Sequence, residues 1–166
     1  MTQPLERVPP EAPEDAATGR QRPPALKAYL ELLRSHEALS TEIAQFFGER
    51  GITPQQFNVL RILADDTEAE GLRCSGISER LVNRVPDITR LLDRLEKAGL
   101  VARHRDARDR RVVRAALTAE GRALVDRTQG PLEDAFRRLF DHLDEAELDQ
   151  LSSLLKKARR AEGTPR

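Results

Sequence analysis

The chain has 166 residues and zero formal net charge, with 34% charged and only 4% aromatic residues. That length can bury a core without disulfide or metal staples, and one cysteine, Cys74, excludes an internal disulfide framework and any multi-cysteine zinc site. Three scattered histidines make no metal cluster, no apolar run approaches the ~20 residues of a membrane span, and the N-terminus lacks a signal-peptide core, so the expected location is cytoplasmic.

In chain order, residues 1–23 carry Pro4, Pro9, Pro10, Pro13 and Pro23 among acidic side chains and read as a disordered tail. A long helix is predicted from Pro24 to about Arg50, with Tyr29, Leu32, Leu39, Ile43 and Phe46 at helical spacing and His36 in the same row. A second helix opens on Thr53 as cap, Pro54 at the first helical position and Gln56 completing a capping box, with Ile52 and Phe57 as the staple outside it. Val59, Leu60 and Leu63 supply its buried face. A polar connection, Asp65 to Gly71, leads to a short helix over Ser75–Leu81 with Ile77 and Leu81 inward.

Val82 to Val85 then read as a tight turn. Pro86 opens the next helix, whose inner side is Ile88, Leu91, Leu92 and Leu95. Gly99 stops it, and Leu100 can close back on Leu95 in a Schellman end. Extended runs 100–105 and 111–117 flank the charged loop 106–110 as a β-hairpin. Thr118 caps a helix with an expected kink at Gly130-Pro131, running to about His142. The last helix has Asp144 and Glu147 as a capping box, Leu143 and Leu148 as staple, and Leu148, Leu151 and Leu155 as its apolar row.

Zero net charge hides an asymmetry. Residues 73–118 hold twelve basic and six acidic side chains, a surplus of six, while both flanks carry more acid than base. A basic centre is an electrostatic footprint for a polyanion, although an Arg-biased solvated surface gives the same count. The order short helix, turn, helix, hairpin decides what that surplus can do. It makes a mainly α fold with a small β-hairpin wing, a winged helix-turn-helix.

The outer face of the predicted recognition helix offers Asp87, Thr89, Arg90, Asp93, Arg94 and Lys97. Arg90 and Arg94 lie one turn apart, and Arg is the side chain suited to bidentate contact with guanine in the major groove. The bland alternative pairs Arg94 with Asp87 or Asp93 in solvent. With Val85 before Pro86, the first turn is expected to lack a side-chain cap and to leave amides free for a phosphate. Arg84, Thr89 and Arg90 are the expected base-edge contacts, and Ser75 and Arg94 the expected phosphate contacts. The loop RHRDARDRR crowds Arg103, Arg105, Arg108, Arg110 and Arg111 into nine residues, a charge that gains from a phosphate backbone or a narrow minor groove.

The stretch RVPDITRLLDRLEKAGLVARHRDARDRRVVRAALTAEGRAL resembles the core of the MarR family of bacterial transcription regulators. The likeness rests on the recognition helix, a D-x-R element at Asp109 and Arg111, and L-T-x-x-G at Leu117, Thr118 and Gly121, and spans roughly residues 24 to 161. It implies that Arg111, braced by Asp109, reaches the minor groove with Arg108 and Arg110 beside it. Ala115 departs from the pattern, which usually has a larger β-branched residue there, and so implies looser strand packing.

The resemblance also implies a homodimer built from the N- and C-terminal helices, reading a near-palindromic double-stranded operator. A small aromatic or anionic ligand bound between the dimer helices and the DNA-binding lobe would weaken DNA affinity by shifting the spacing of the recognition helices. His36 is the ligand-contact candidate, set against the plainer role of a satisfied core or interface residue. The implied organisation is a tail over 1–23, a dimerisation helix over 24–50, a DNA-binding domain over 51–118 and dimerisation helices over 119–162. No cofactor and no catalytic residue is expected, because the chain shows no nucleophile–base pair, metal set or phosphate loop. Cys74 reads as a buried structural thiol, with oxidation through a mixed disulfide or intersubunit link as the alternative. A repressor is the first reading. An activator, or a winged-helix module that binds protein, is the alternative.

Overall fold

The computed structural model describes residues 22–66, 71–81, 87–106 and 109–159. The chain forms two compact units that divide between Ala38 and Leu39. Helix α1 (Pro24–Gly48) starts in the first unit and ends in the second. In the first unit Leu26, Tyr29, Leu32 and Leu33 are exposed, and Arg34 pairs with Glu31 at 2.7 Å. The expected tail lies outside the described residues except for its last two positions.

The second unit takes up the chain from Leu39. Helix α1 stops at Gly48, two residues before the expected end, because the Ile52 and Gly51 amides turn back onto the Phe47 and Gly48 carbonyls. Helix α2 (Pro54–Ala64) carries the expected capping box: the Thr53 hydroxyl accepts the Gln56 amide at 3.2 Å and the Gln56 side chain accepts the Thr53 amide at 2.8 Å. Its Phe57, Val59, Leu60 and Leu63 are buried with Ile52, and the Phe47 and Phe57 rings sit 5.0 Å apart.

The sheet has one strand more than the predicted hairpin. Strand β1 (Leu72–Arg73) precedes α3 (Cys74–Arg80), which begins one residue before the expected Ser75. Helix α4 (Ile88–Lys97) and strands β2 (Val101–Arg105) and β3 (Val113–Leu117) follow. The antiparallel order is β1-β3-β2, with Ala115 of the central strand facing Leu72 on one side and Arg103 on the other. Ala115 is completely buried there, so the small residue belongs to a close three-strand packing and the expected looseness is absent.

The turn expected at 82–85 and Pro86 lie outside the described residues. Helix α4 ends as the sequence indicates. The Leu100 amide reaches the Leu95 carbonyl at 3.0 Å, the Gly99 amide reaches Glu96 at 2.9 Å, and Gly99 takes a φ of 73° that only glycine adopts freely. Helix α5 (Ala119–Leu139) runs as one helix through Gly130-Pro131, where a kink was expected, and ends before His142. Its first turn explains L-T-x-x-G. The Thr118 hydroxyl accepts the Gly121 amide at 3.0 Å and donates to the Gly99 carbonyl at 2.7 Å, and a Cβ on Gly121 would strike the Leu100 carbonyl. Helix α6 (Glu145–Arg159) opens on the expected box, Asp144 and Glu147 exchanging bonds of 3.0 and 2.9 Å.

The core of the second unit gathers Phe47, Leu60, Ile77, Leu92, Leu95, Val101 and Leu124 under α4 and the sheet. That packing leaves the other side of α4 and the tip of the β2–β3 hairpin to solvent.

Candidate nucleic-acid interface

Helix α4 is strongly two-sided. Leu91, Leu92 and Leu95 are buried, while Asp87, Thr89, Arg90, Arg94 and Lys97 are exposed. The expectation of an uncapped first turn is overturned. Proline at the first helical position suggested a start at Pro86, but the helix begins at Ile88 and Asp87 is its N-cap, accepting the Arg90 amide at 3.0 Å. The same carboxylate receives the Arg90 Nε at 3.0 Å, so Arg90 is held against the cap while remaining 81% exposed. Arg94 pairs with neither Asp87 nor Asp93 and makes no ion pair among the described residues. Ser75 is exposed at the second position of α3.

At the wing, Asp106 and Asp109 organise the turn. The Asp109 amide donates to the Asp106 carboxylate at 3.1 Å, and the Arg111 amide donates to the Asp109 carboxylate at 3.0 Å. Asp109 therefore braces Arg111 through its backbone amide. The side chains of Arg110 and Arg111 stay exposed and unpaired among the described residues. Arg84 and Arg108 lie outside the described residues.

Two arginines of the basic block serve the fold, and sequence reasoning missed both. Arg114, 12% exposed, sends Nε to buried Asp106 at 2.6 Å and Nη1 to the Gly71 carbonyl at 2.7 Å. Arg103, counted with the wing tip from sequence, lies between Asp93 and Glu96 of α4. Its hydrogen bonds hold the Glu96 carboxyl below the usual carboxylate range, and the same bonds raise its own value. In the structure Arg103 and Arg114 fall inside strands and Arg110 and Arg111 in the turn, a distinction the sequence reading missed because it began the second strand at Arg111.

His36 is exposed on the first-unit part of α1. Cys74 is half-buried, its Sγ 3.7 Å from the Val113 carbonyl, and so is less enclosed than expected. A cleft of about 300 Å³ is lined by residues including Leu63, Asp66, Leu117, Thr118 and Arg122. The Asp66 side chain is only 6% exposed there, with Oδ1 3.7 Å from Arg80 and no hydrogen-bond donor to Oδ2 among the described residues. Among the described residues, no helix is long and apolar enough to cross a membrane and no group of three His, Cys, Asp or Glu could hold a metal ion.

Residues 52–113 match the model of the MarR family. The homoprotocatechuate degradative operon repressor of Escherichia coli is 31% identical over 125 residues, covering 75% of this chain and 82% of that protein. The chain belongs to the MarR family. A Staphylococcus aureus MepR–DNA complex shares the fold with a TM-score of 0.69 at 28% identity, over 81% of this chain and 96% of that one. Bordetella bronchiseptica BpsR, in a structure concerned with regulation of its DNA binding by 6-hydroxynicotinic acid, gives 0.69 at 26% identity over 80% and 98%. As a MarR-family protein the chain is a DNA-binding transcription regulator with a winged-helix fold.

Proposed function

We propose that the protein is a homodimeric, cytoplasmic repressor, not an enzyme, that reads a near-palindromic operator through α4 and the wing and is released by a small ligand. The observation that carries this reading is the shared exposure of Thr89, Arg90 and Arg94 on one helix and of Arg110 and Arg111 on the hairpin tip. Thr89 and Arg90 meet base edges in the major groove, and Arg94 and Ser75 meet phosphates. Arg110 and Arg111, with Arg108 beside them, enter the minor groove, and Asp109 sets the backbone that aims them. Arg84 completes the base-contacting set.

The domain division follows the same logic, with residues 51–118 binding DNA and helices over 24–50 and 119–162 joining two copies. Leu26, Tyr29, Leu32 and Leu33 in one unit, and Phe136, Leu151, Leu154 and Leu155 in the other, are exposed apolar residues of the kind a partner copy covers. For the ligand, His36 is the proposed contact. Asp66, whose Oδ2 has no donor among the described residues, supports a polar pocket in the second unit as well.

The test is binding of the purified chain to DNA upstream of its own gene across a salt series, with sedimentation to give the oligomeric state. A dimer with sequence-selective binding and a steep salt slope is the expected result. Equal, weak binding to every duplex by a dimer would remove the DNA reading in favour of a protein-binding winged helix.

A further inference from the structure

We infer that Arg103 is a positioning residue that locks the wing to the recognition helix, so that the two groove contacts are made by one rigid unit; this rests on the DNA-binding reading above.

Arg103 sits at the middle of β2, opposite buried Ala115, and only 22% of its side chain is exposed. Glu96 takes three N–H groups from this one residue. Arg103 Nε lies 2.9 Å and Nη2 2.5 Å from Oε2, and the Arg103 amide lies 3.3 Å from Oε1. The same Nη2 reaches Asp93 Oδ1 at 2.6 Å. Asp93 and Glu96 are three residues apart on α4, so they share one side of the helix and repel each other unless a cation lies between them. Arg103 supplies that cation, and its planar fork fixes direction as well as distance.

The consequence for DNA is geometric. Without this clamp, α4 and β2 are joined by the short turn at Ala98–Leu100 and by apolar packing, neither of which sets the angle of the hairpin as a guanidinium shared between two carboxylates does. The Nε and Nη2 donors of Arg103 are already committed to two carboxylates, so it is a poorer phosphate ligand than its place in the basic block suggests. Its loss should therefore cost the advantage of meeting two grooves at once, which only a matching operator provides.

The experiment uses the full-length chain and an operator duplex selected from random-sequence DNA, with a scrambled duplex as the non-specific probe. Glu96→Gln gives the sharpest readout. Removing a negative charge beside DNA raises affinity on electrostatic grounds, whereas breaking the clamp lowers it. The expected result is an operator affinity about tenfold weaker, with scrambled-duplex affinity unchanged or higher and the operator salt slope retained. Arg103→Ala should lose operator affinity to a similar degree, and in the Glu96→Gln background it should lose little more. Arg103→Lys, which keeps the charge without the fork, should recover only part of the loss and guards against misfolding of the alanine variant. Operator affinity in Glu96→Gln equal to or above the parent's would overturn the inference. So would a salt slope lower by about one in Arg103→Ala with uniform loss on both duplexes, since that marks a direct phosphate contact. If the parent chain shows no preference for any duplex, the DNA-binding reading itself fails, a result distinct from either of these.

Discussion

Asp87 holds Arg90 twice, one carboxylate oxygen accepting its amide and the other its Nε, each at 3.0 Å. A single side chain thus starts the recognition helix and aims the arginine that its first turn presents. Asp87→Asn keeps an oxygen for the cap and removes the charge. Affinity for scrambled DNA should rise severalfold while discrimination in favour of the operator falls, as read by competition titration. Asp87→Ala should in addition lower stability by about 1 kcal/mol, the usual cost of a lost N-cap, measured by urea unfolding.

Arg110 and Arg111 are exposed at the wing tip without ion pairs among the described residues. Arg111→Ala should weaken operator binding and reduce the slope of log affinity against log salt by about one. Arg114→Ala should instead lower the melting temperature, because it leaves Asp106 buried without its guanidinium. A salt series on both variants, paired with thermal melts, separates the two roles. An unchanged salt dependence in Arg111→Ala would remove the wing from the interface.

Acid should act through Glu96. Its carboxyl is held below the ordinary value by Arg103, so the unfolded chain takes up the proton first as pH falls. The stabilisation is therefore complete above the unfolded value of about 4.3 and is lost as pH drops through the lower folded value. Urea unfolding between neutral pH and pH 3 should show a shallower acid limb for Glu96→Gln than for the parent. Identical limbs would mean that the pair contributes nothing to that window.

Gly121→Ala probes the joint between α4 and α5. The added methyl would meet the Leu100 carbonyl, which also receives the Thr118 amide, so the neighbouring backbone must shift. A loss of about 1–3 kcal/mol is expected from the overpacking, seen as a lower urea midpoint with an unchanged slope.

The caps and stops were readable because they are local. Thr53 with Gln56, Asp144 with Glu147, and Leu95 with Gly99 and Leu100 each need only a few consecutive residues, and each formed as its spacing dictates. Strand β1 was invisible because two residues carry no periodicity, and its existence depends on a partner strand far along the chain. The start of α4 was misread because proline at the first helical position competed with Asp87 as cap, and the hydrogen bond to Arg90 favours the aspartate. Within the basic block, charge counting put Arg103 and Arg111 in the same class. They are told apart by which acids the fold brings within reach, and Asp93, Glu96 and Asp106 become partners only once α4 packs on β2 and the hairpin closes.

The pairing of Leu72 with Ala115 has a consequence for how the molecule is assembled. Everything between them, α3, α4 and β2, lies inside one loop of chain that β1 closes onto the central strand. Closing so long a loop costs entropy that only the finished core repays, so the recognition helix gains little by forming early. The DNA-reading surface should come into being late and all at once during folding, with the backbone amides linking β1 to β3 exchanging with solvent only when the whole unit opens.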